Sequence, residues 1–185
     1  MATTDRLQSF VQRVGVALEG NPTEDRLLPQ VRLAMRDLVA TDDWLPPAAA
    51  QPHPEHYQQY LLHLDPAGRF SVVSFVWGPG QKTPVHNHTV WGVIGMLRGA
   101  ELAAAYRQEP GRLVASGEAV RLEPGDVEAV SPSIGDIHQV SNALPGQVSI
   151  SVHCYGADIG RVRRHVFDPG TGAAKEFVSG YAPWH

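Results

Sequence analysis

Three histidines in this chain have the spacing to hold a metal ion. His86 and His88 are two residues apart, so on a strand their side chains would point to the same face. His138 lies in a later run of the chain that could face them. A single histidine on a strand is more often hydrogen-bonded than ligating, but three that converge form a facial set that leaves metal positions open. The sequence therefore predicts a metal site built from neutral ligands.

Glycines and a proline frame these histidines in two segments. Residues 80–99 have the form G-x5-H-x-H with a closing glycine, and residues 125–142 end in Gly-x2-His-x3-Asn. Together the segments resemble the two motifs of the cupin superfamily, although the second has one extra residue before Pro132 and another between Pro132 and Gly135. The resemblance implies a mainly β fold, a small jelly-roll-type barrel.

The first segment lacks the carboxylate that cupin motifs usually carry. Gly92 and Val93 occupy both positions where the glutamate would fall, so a metal here would have only imidazole ligands. Three imidazoles are compatible with zinc, iron, copper or nickel, and ligand type alone does not decide between them.

A polar face on a later apolar run adds a second constellation. Ser151, His153 and Tyr155 alternate, so they share one face of the predicted strand Val148 to Tyr155. Such a set predicts a hydrogen-bonded relay that ends in a phenol. The alternative is the solvent-facing side of an edge strand.

Joined to the three histidines and Arg164, this strand resembles the thiol dioxygenase family of the cupin superfamily, the cysteine dioxygenase type. It is most similar to the bacterial 3-mercaptopropionate dioxygenase branch, over about residues 57–167. The resemblance implies that one Fe(II) per chain is bound and that both atoms of O2 are added to a thiol to give a sulfinate. It assigns the iron ligands to His86, His88 and His138, and an outer triad to Ser151, His153 and Tyr155.

The chain departs from the mammalian members of that family in two places. Those carry a cysteine after the His-x-His pair that crosslinks to the active-site tyrosine, whereas the only cysteine here is Cys154, which adjoins Tyr155 and should face away from it. No crosslink is therefore expected. A Tyr-x-Arg pattern that holds the substrate carboxylate is replaced here by Tyr57-Gln58-Gln59.

A carboxylate in a poorly hydrated pocket still needs a cation. The resemblance places that cation at Arg164, while Arg161 and Arg163 are predicted to lie on a solvated edge. With Arg164 and Gln59 as the substrate-binding residues and no evident acid for an ammonium group, 3-mercaptopropionate is favoured over L-cysteine. Two acids, Glu101 and Asp136, could still prove close.

Three other functions use the same histidines. L-cysteine dioxygenase is the rival within the class, a metal or ligand-binding cupin without catalysis is the second, and a zinc hydrolase is the third. The hydrolase gives no role to the polar face of Ser151, His153 and Tyr155.

Composition limits the partners. The 185 residues, 43% of them hydrophobic, predict one folded domain over 1–185. The net charge of -4 comes without a run of Lys or Arg, which argues against nucleic acid, and no apolar stretch approaches the roughly 20 residues of a membrane span. We expect a small thiol carboxylate and O2 as partners, in the cytoplasm, since the first residues lack a signal-peptide pattern. The oligomeric state is not indicated.

The elements that must position these residues fall into two parts. Apolar residues at helical spacing predict two N-terminal helices within residues 1–42, with Thr23 as the N-cap of the second. A proline-rich linker leads to a barrel core at 57–167, where short apolar runs alternate with Gly, Pro and Asp turns. We expect the helices to pack on the barrel and cover an open end.

Overall fold

The computed structural model of the chain describes residues 2–184. Two helices open the chain, α1 (Ala2–Ala17) and α2 (Glu24–Val39), followed by a 3-10 turn at Pro47–Ala50. Residues 58–177 form twelve strands: β1 (Gln58–Leu64), β2 (Ser71–Trp77), β3 (Val85–His86), β4 (Gly92–Arg98), β5 (Glu101–Glu109), β6 (Arg112–Ala115), β7 (Val120–Leu122), β8 (Val127–Val130), β9 (Ile137–Asn142), β10 (Ser149–Tyr155), β11 (Arg164–Phe167) and β12 (Ala174–Phe177).

The strands form two antiparallel sheets. One has the order β1-β2-β10-β4-β8, and the other has the order β12-β11-β3-β9-β5-β6 with β7 paired to β5. Strands that follow one another in the chain often lie apart in these sheets. Residues that are distant in the chain therefore come together in the space between the two sheets. The predicted mainly β barrel with two N-terminal helices is confirmed.

Every residue of β10, from Ser149 to Tyr155, is buried, because both faces of the strand are covered. Val152 and Cys154 pack into the cluster that contains the helices, whereas Tyr155 packs with residues between the sheets. Because successive side chains alternate, Ser151 and His153 share the inner side with Tyr155. The polar face is therefore an interior surface of the barrel and not the wet side of an edge strand.

The helices cover the outer face of the first sheet, so the expectation that they close an open end was wrong. Met35 and Val39 of α2 pack on β4, and a Cβ atom built on Gly95 would lie 2.6 Å from Cγ of Met35. Helix periodicity shows that a side is buried, but not against which surface. The polar residues of β10 therefore lie on the inner side of this sheet, opposite the helices.

The helix limits follow the sequence signals. Thr23 takes the extended N-cap conformation before α2, although its hydroxyl makes no capping hydrogen bond. None of the helices within residues 2–184 is long and apolar enough to cross a membrane. That the whole chain forms one domain stays a prediction, and residues 1 and 185 of that range lie outside the described residues.

Candidate metal centre

His86, His88 and His138 converge between the sheets. One ring nitrogen from each lies within 4.8 Å of the others, and all three residues are buried. His86 and His138 are direct cross-strand partners in the β3–β9 ladder, which sets their rings on the same face. The predicted ligand set is therefore brought together, while its role as a metal site stays a prediction.

His88 reaches the site differently from the expectation that it shares a strand with His86. Strand β3 ends at His86, and His88 lies in the loop that follows. The carboxylate of Asp136 accepts hydrogen bonds from the backbone N–H groups of His88 and Thr89, both at 2.9 Å, and contacts Nδ1 of His88 at 3.0 Å. A long-range carboxylate, not strand alternation, holds this imidazole.

The hydrogen bonds of the imidazoles leave nitrogens free for a metal. Nδ1 of His86 contacts the carbonyl oxygen of Pro84 at 3.1 Å, so that nitrogen bears the proton and Nε2 has the free lone pair. Nε2 of His88 is buried with no hydrogen-bond partner among the described residues, a costly state for a polar atom without a ligand. Burial, followed by electrostatic repulsion between the neighbouring imidazoles, lowers the pKa of His86 to about 3, so its imidazole is neutral. The site fits a metal ion that prefers nitrogen ligands.

The predicted relay is formed along β10. Oγ of Ser151 lies 2.8 Å from Nε2 of His153, and Nδ1 of His153 lies 2.8 Å from the hydroxyl of Tyr155. The Tyr155 ring stacks on His88 with their centroids 5.4 Å apart, so the phenol borders the three histidines. Burial raises the pKa of Tyr155, which keeps the phenol protonated. These contacts were predicted, whereas the catalytic role of the three residues stays a prediction.

Val93 and Gly92, the two positions where a cupin glutamate would fall, face opposite sides of the sheet. Val93 packs with the helices on the outer side of the sheet, while Gly92 lies against the ring of Tyr155. Neither position places a carboxylate beside the histidines.

A cavity of about 190 Å³ opens beside His86, and both predicted substrate-binding residues, Arg164 and Gln59, line it. Arg164 is only 3% exposed, its guanidinium lies 4.7 Å from the ring centre of Phe177, and its Nη2 donates to Oγ of Ser179 at 2.6 Å. Nε of Arg164 is buried without a partner in the described part of the chain. Burial lowers the pKa of this guanidinium, which marks it as a cation short of a counter-charge.

The neighbouring arginines behave as predicted for a solvated edge. The side chains of Arg161 and Arg163 are 89% and 77% exposed, with partners in Asp158 and Glu176. Only Arg164 of this cluster turns inward, because β11 begins there and its side chain alternates toward the barrel.

Gln59 lines the same cavity from β1, but its amide is already engaged. Nε2 donates to the carbonyl oxygen of Gly180 at 2.9 Å and to Oγ of Ser179 at 3.2 Å. Ser179 thus joins Gln59 and Arg164, a connection that sequence reasoning missed because residues 177–182 return to the barrel from beyond the predicted core. The substrate-binding role of Gln59 stays a prediction.

Three further expectations concern residues near the site. The Cys154 thiol is fully buried on the outer side of β10, away from the Tyr155 ring, as the alternation of the strand predicted. Asp136 holds His88 and does not line the Arg164 cavity. Glu101 is buried beside Ser151 and Trp77, also outside that cavity. Sequence reasoning named both acids only as possible neighbours of an ammonium group.

The sequence profile of the family described as cysteine dioxygenase type I matches residues 41–168, which include all three histidines, the relay strand and Arg164. The chain belongs to the cysteine dioxygenase type I family. Membership indicates a dioxygenase, and the three histidines of this family member form a site that can bind a metal. The resemblance to the 3-mercaptopropionate dioxygenase branch stays a prediction.

Solved structures resemble this cysteine dioxygenase family member at low sequence identity. A cupin superfamily protein from Desulfitobacterium hafniense is 15% identical, with 64% of this chain and 94% of that chain covered and a TM-score of 0.47. A cupin 2 domain-containing protein from Halorhodospira halophila is 20% identical, with 64% and 74% covered and a TM-score of 0.48. A cupin-like protein from Thermotoga maritima is 19% identical, with 63% and 78% covered and a TM-score of 0.46.

Proposed function

We propose that the protein is an iron-dependent thiol dioxygenase that converts 3-mercaptopropionate and O2 to 3-sulfinopropionate. The reaction adds both oxygen atoms to the thiol sulfur, R–SH + O2 → R–SO2H, and needs no further reductant. The observation that supports this substrate is the buried Nε of Arg164, which has no hydrogen-bond partner among the described residues, in the cavity beside His86.

Iron would be held by His86, His88 and His138, whose free ring nitrogens fit it. An iron ion bound there supplies the redox chemistry by which a thiol sulfur reacts with O2. Since the imidazoles contribute no negative charge, the substrate thiolate is the anion that can balance the charge of the site. The missing glutamate at Gly92 and Val93 is consistent with that exchange.

Two cavities border the histidines, one beside His138 and one beside His86, and the charges of their lining residues differ. The cavity beside His138 includes Glu118, Glu128 and Asp136 among its lining residues and would repel a carboxylate. The cavity beside His86 contains Arg164, and none of the described residues that line it is acidic. A thiol with a carboxylate therefore enters on the Arg164 side.

Arg164 binds the carboxylate and thereby orients the sulfur toward the histidines. Its Nη2 is fixed by Ser179 and its plane is covered by Phe177, so little rotamer freedom is lost when the anion binds. The absence of an acidic group among the described lining residues leaves the ammonium of L-cysteine without a protein counter-charge, which favours 3-mercaptopropionate.

Tyr155 donates a hydrogen bond into the space between the histidines and the substrate. The 2.8 Å contact with His153 fixes the phenol in position, and Ser151 fixes the imidazole in turn. In a site from which water is excluded, a preorganised donor stabilises developing negative charge more strongly than it would in water.

Oxygen uptake by iron-loaded protein tests this function. We expect 3-mercaptopropionate to give the highest kcat/KM, L-cysteine to give a lower value, and cysteamine, which has a thiol and an ammonium but no carboxylate, to give the lowest. A higher kcat/KM for L-cysteine would reassign the substrate. No oxygen uptake with any of the three thiols would leave a metal-binding cupin without catalysis, and full activity with zinc would contradict the redox mechanism.

A further inference from the structure

A buried carboxyl group lies at the far end of the relay from the metal centre. Glu101 opens β5, is only 1% exposed, and lies beside the Ser151 hydroxyl and the Trp77 indole. Its Oε1 has no hydrogen-bond partner in the described part of the chain. Glu101 shares the inner face of β5 with Ala105, the cross-strand partner of His138, which sets its carboxyl inside the barrel.

A glutamate is rarely buried so completely unless it is paired, and no cation pairs with this one in residues 2–184. Glu101 lies beside Ser151, the first member of the hydrogen-bonded series Ser151, His153 and Tyr155. Trp77 donates from Nε1 to Oγ of Ser151 at 3.3 Å, which leaves the Ser151 hydroxyl one proton to give and one lone pair to fill.

We propose that Glu101 is a positioning residue whose carboxyl sets the direction of the hydrogen bonds from Ser151 through His153 to Tyr155. The catalytic consequence rests on the proposed thiol dioxygenase function, whereas the hydrogen-bond direction itself does not.

An ionised Glu101 orients the bonds toward itself. A carboxylate can only accept, so the Ser151 hydroxyl donates to it, and Oγ of Ser151 accepts from Nε2–H of His153. Nδ1 of His153 then accepts the proton of the Tyr155 hydroxyl. In this state the phenol proton is turned away from the histidines, and Tyr155 has no proton to offer to the substrate.

A neutral Glu101 orients the bonds the other way. The carboxylic acid donates to Oγ of Ser151, the Ser151 hydroxyl donates to Nε2 of His153, and Nδ1–H of His153 donates to the oxygen of Tyr155. The phenol proton is then free to point into the site. Every donor from Glu101 to His153 is satisfied in both states, and only the phenol proton changes its acceptor, so one proton on Glu101 selects between them.

The surroundings of Glu101 place its titration near neutral pH. Burial raises the pKa of Glu101 to about 7, although the nearby Ser151 hydroxyl and Trp77 indole lower it, and the neighbouring Glu128 raises it as well. The other titratable groups that face this region are His153 and Tyr155 of β10, and Arg32 of α2 acts on Glu128. A raised pKa of this kind is typical of a carboxyl that works in its neutral form.

The pH dependence of Glu101→Gln provides the first test. We expect kcat/KM of the wild type to fall about tenfold per pH unit above a pH of about 7, as for loss of one essential proton. The glutamine amide donates to Ser151 at every pH, so Glu101→Gln should abolish that fall. Glu128→Gln removes a neighbouring negative charge and should move the fall to lower pH. An alkaline limb unchanged in Glu101→Gln would overturn the proposal.

Infrared difference spectra of the anaerobic iron-loaded protein test the same inference without turnover. The wild type should show the C=O stretch of a buried carboxylic acid that disappears as the pH rises through about 7. The band should be absent in Glu101→Gln. Its absence from the wild type would overturn the inference even if thiols are oxidised, while its presence in a protein that oxidises no thiol would contradict only the proposed function.

Discussion

The ring of Tyr155 occupies the space where a side chain at position 92 would have to begin. A Cβ atom built on Gly92 would lie 2.8 Å from Cδ1 and 2.9 Å from Cε1 of that ring, closer than real contacts allow. One of the two positions where a cupin motif would carry its glutamate is therefore occupied by the ring of Tyr155. The Tyr155 ring can pack in this place only because residue 92 has no side chain.

Gly92→Ala should accordingly disturb the phenol before anything else. The added methyl group displaces the Tyr155 ring and lengthens its 2.8 Å contact with His153, at a cost of about 1–3 kcal/mol in the free energy of unfolding. We expect a lower kcat with iron content unchanged, measured by oxygen uptake and metal analysis. Gly146→Ala, where the added methyl meets nothing within 4 Å, is the matched control and should retain full activity.

Tyr155→Phe tests the phenol itself. Loss of the hydroxyl removes a preorganised donor, and we expect kcat/KM to fall on the order of 100-fold while iron remains bound. Tyr60→Phe removes a hydroxyl that donates to the carbonyl oxygen of Gln51 at 2.8 Å, away from the histidines, and should leave the kinetics unchanged. Unaltered kinetics in Tyr155→Phe would remove this residue from the mechanism.

Arg164→Ala should raise the KM for 3-mercaptopropionate by about 10- to 100-fold, the worth of a charge-assisted hydrogen bond. The kcat should change less, because the carboxylate is held equally before and during the reaction. Arg163→Ala, which removes an exposed arginine next to it, serves as the control for net charge. An unaltered KM in Arg164→Ala would show that the carboxylate binds elsewhere.

Asp136→Asn addresses metal binding. Its carboxylate fixes His88 through Nδ1 and two backbone N–H groups, so a neutral amide should weaken iron affinity by about 10- to 100-fold while the barrel stays folded. Competition with a metal chelator measures the change. Asp168→Asn alters a carboxylate that accepts from the N–H of Thr171 in an exposed turn, and it should not affect iron affinity.

Much of the site could be predicted because it depends on short-range alternation. Ser151, His153 and Tyr155 lie on one strand, where spacing alone fixes the face, and β10 pairs with β2 in unbroken register from Ser149 to Tyr155. The cross-strand pair of His86 and His138 also follows from two motifs in which each histidine lies on a strand.

The rest depends on contacts between distant parts of the chain. His88 lies beyond the end of β3 and is oriented by Asp136, 48 residues away, which no local pattern indicates. A glutamate at the start of a strand is usually solvated, so the burial of Glu101 follows only from how the two sheets face each other. In the same way, the amphipathic helices revealed a buried side but not the sheet face that it covers.

The fate of labelled dioxygen tests the central claim most directly. Anaerobic protein loaded with iron is given 3-mercaptopropionate and ¹⁸O2, and the product is analysed by mass spectrometry. A dioxygenase with this site predicts 3-sulfinopropionate in which both sulfinate oxygens carry the label. A disulfide product, or a sulfinate with one oxygen from water, would contradict the account.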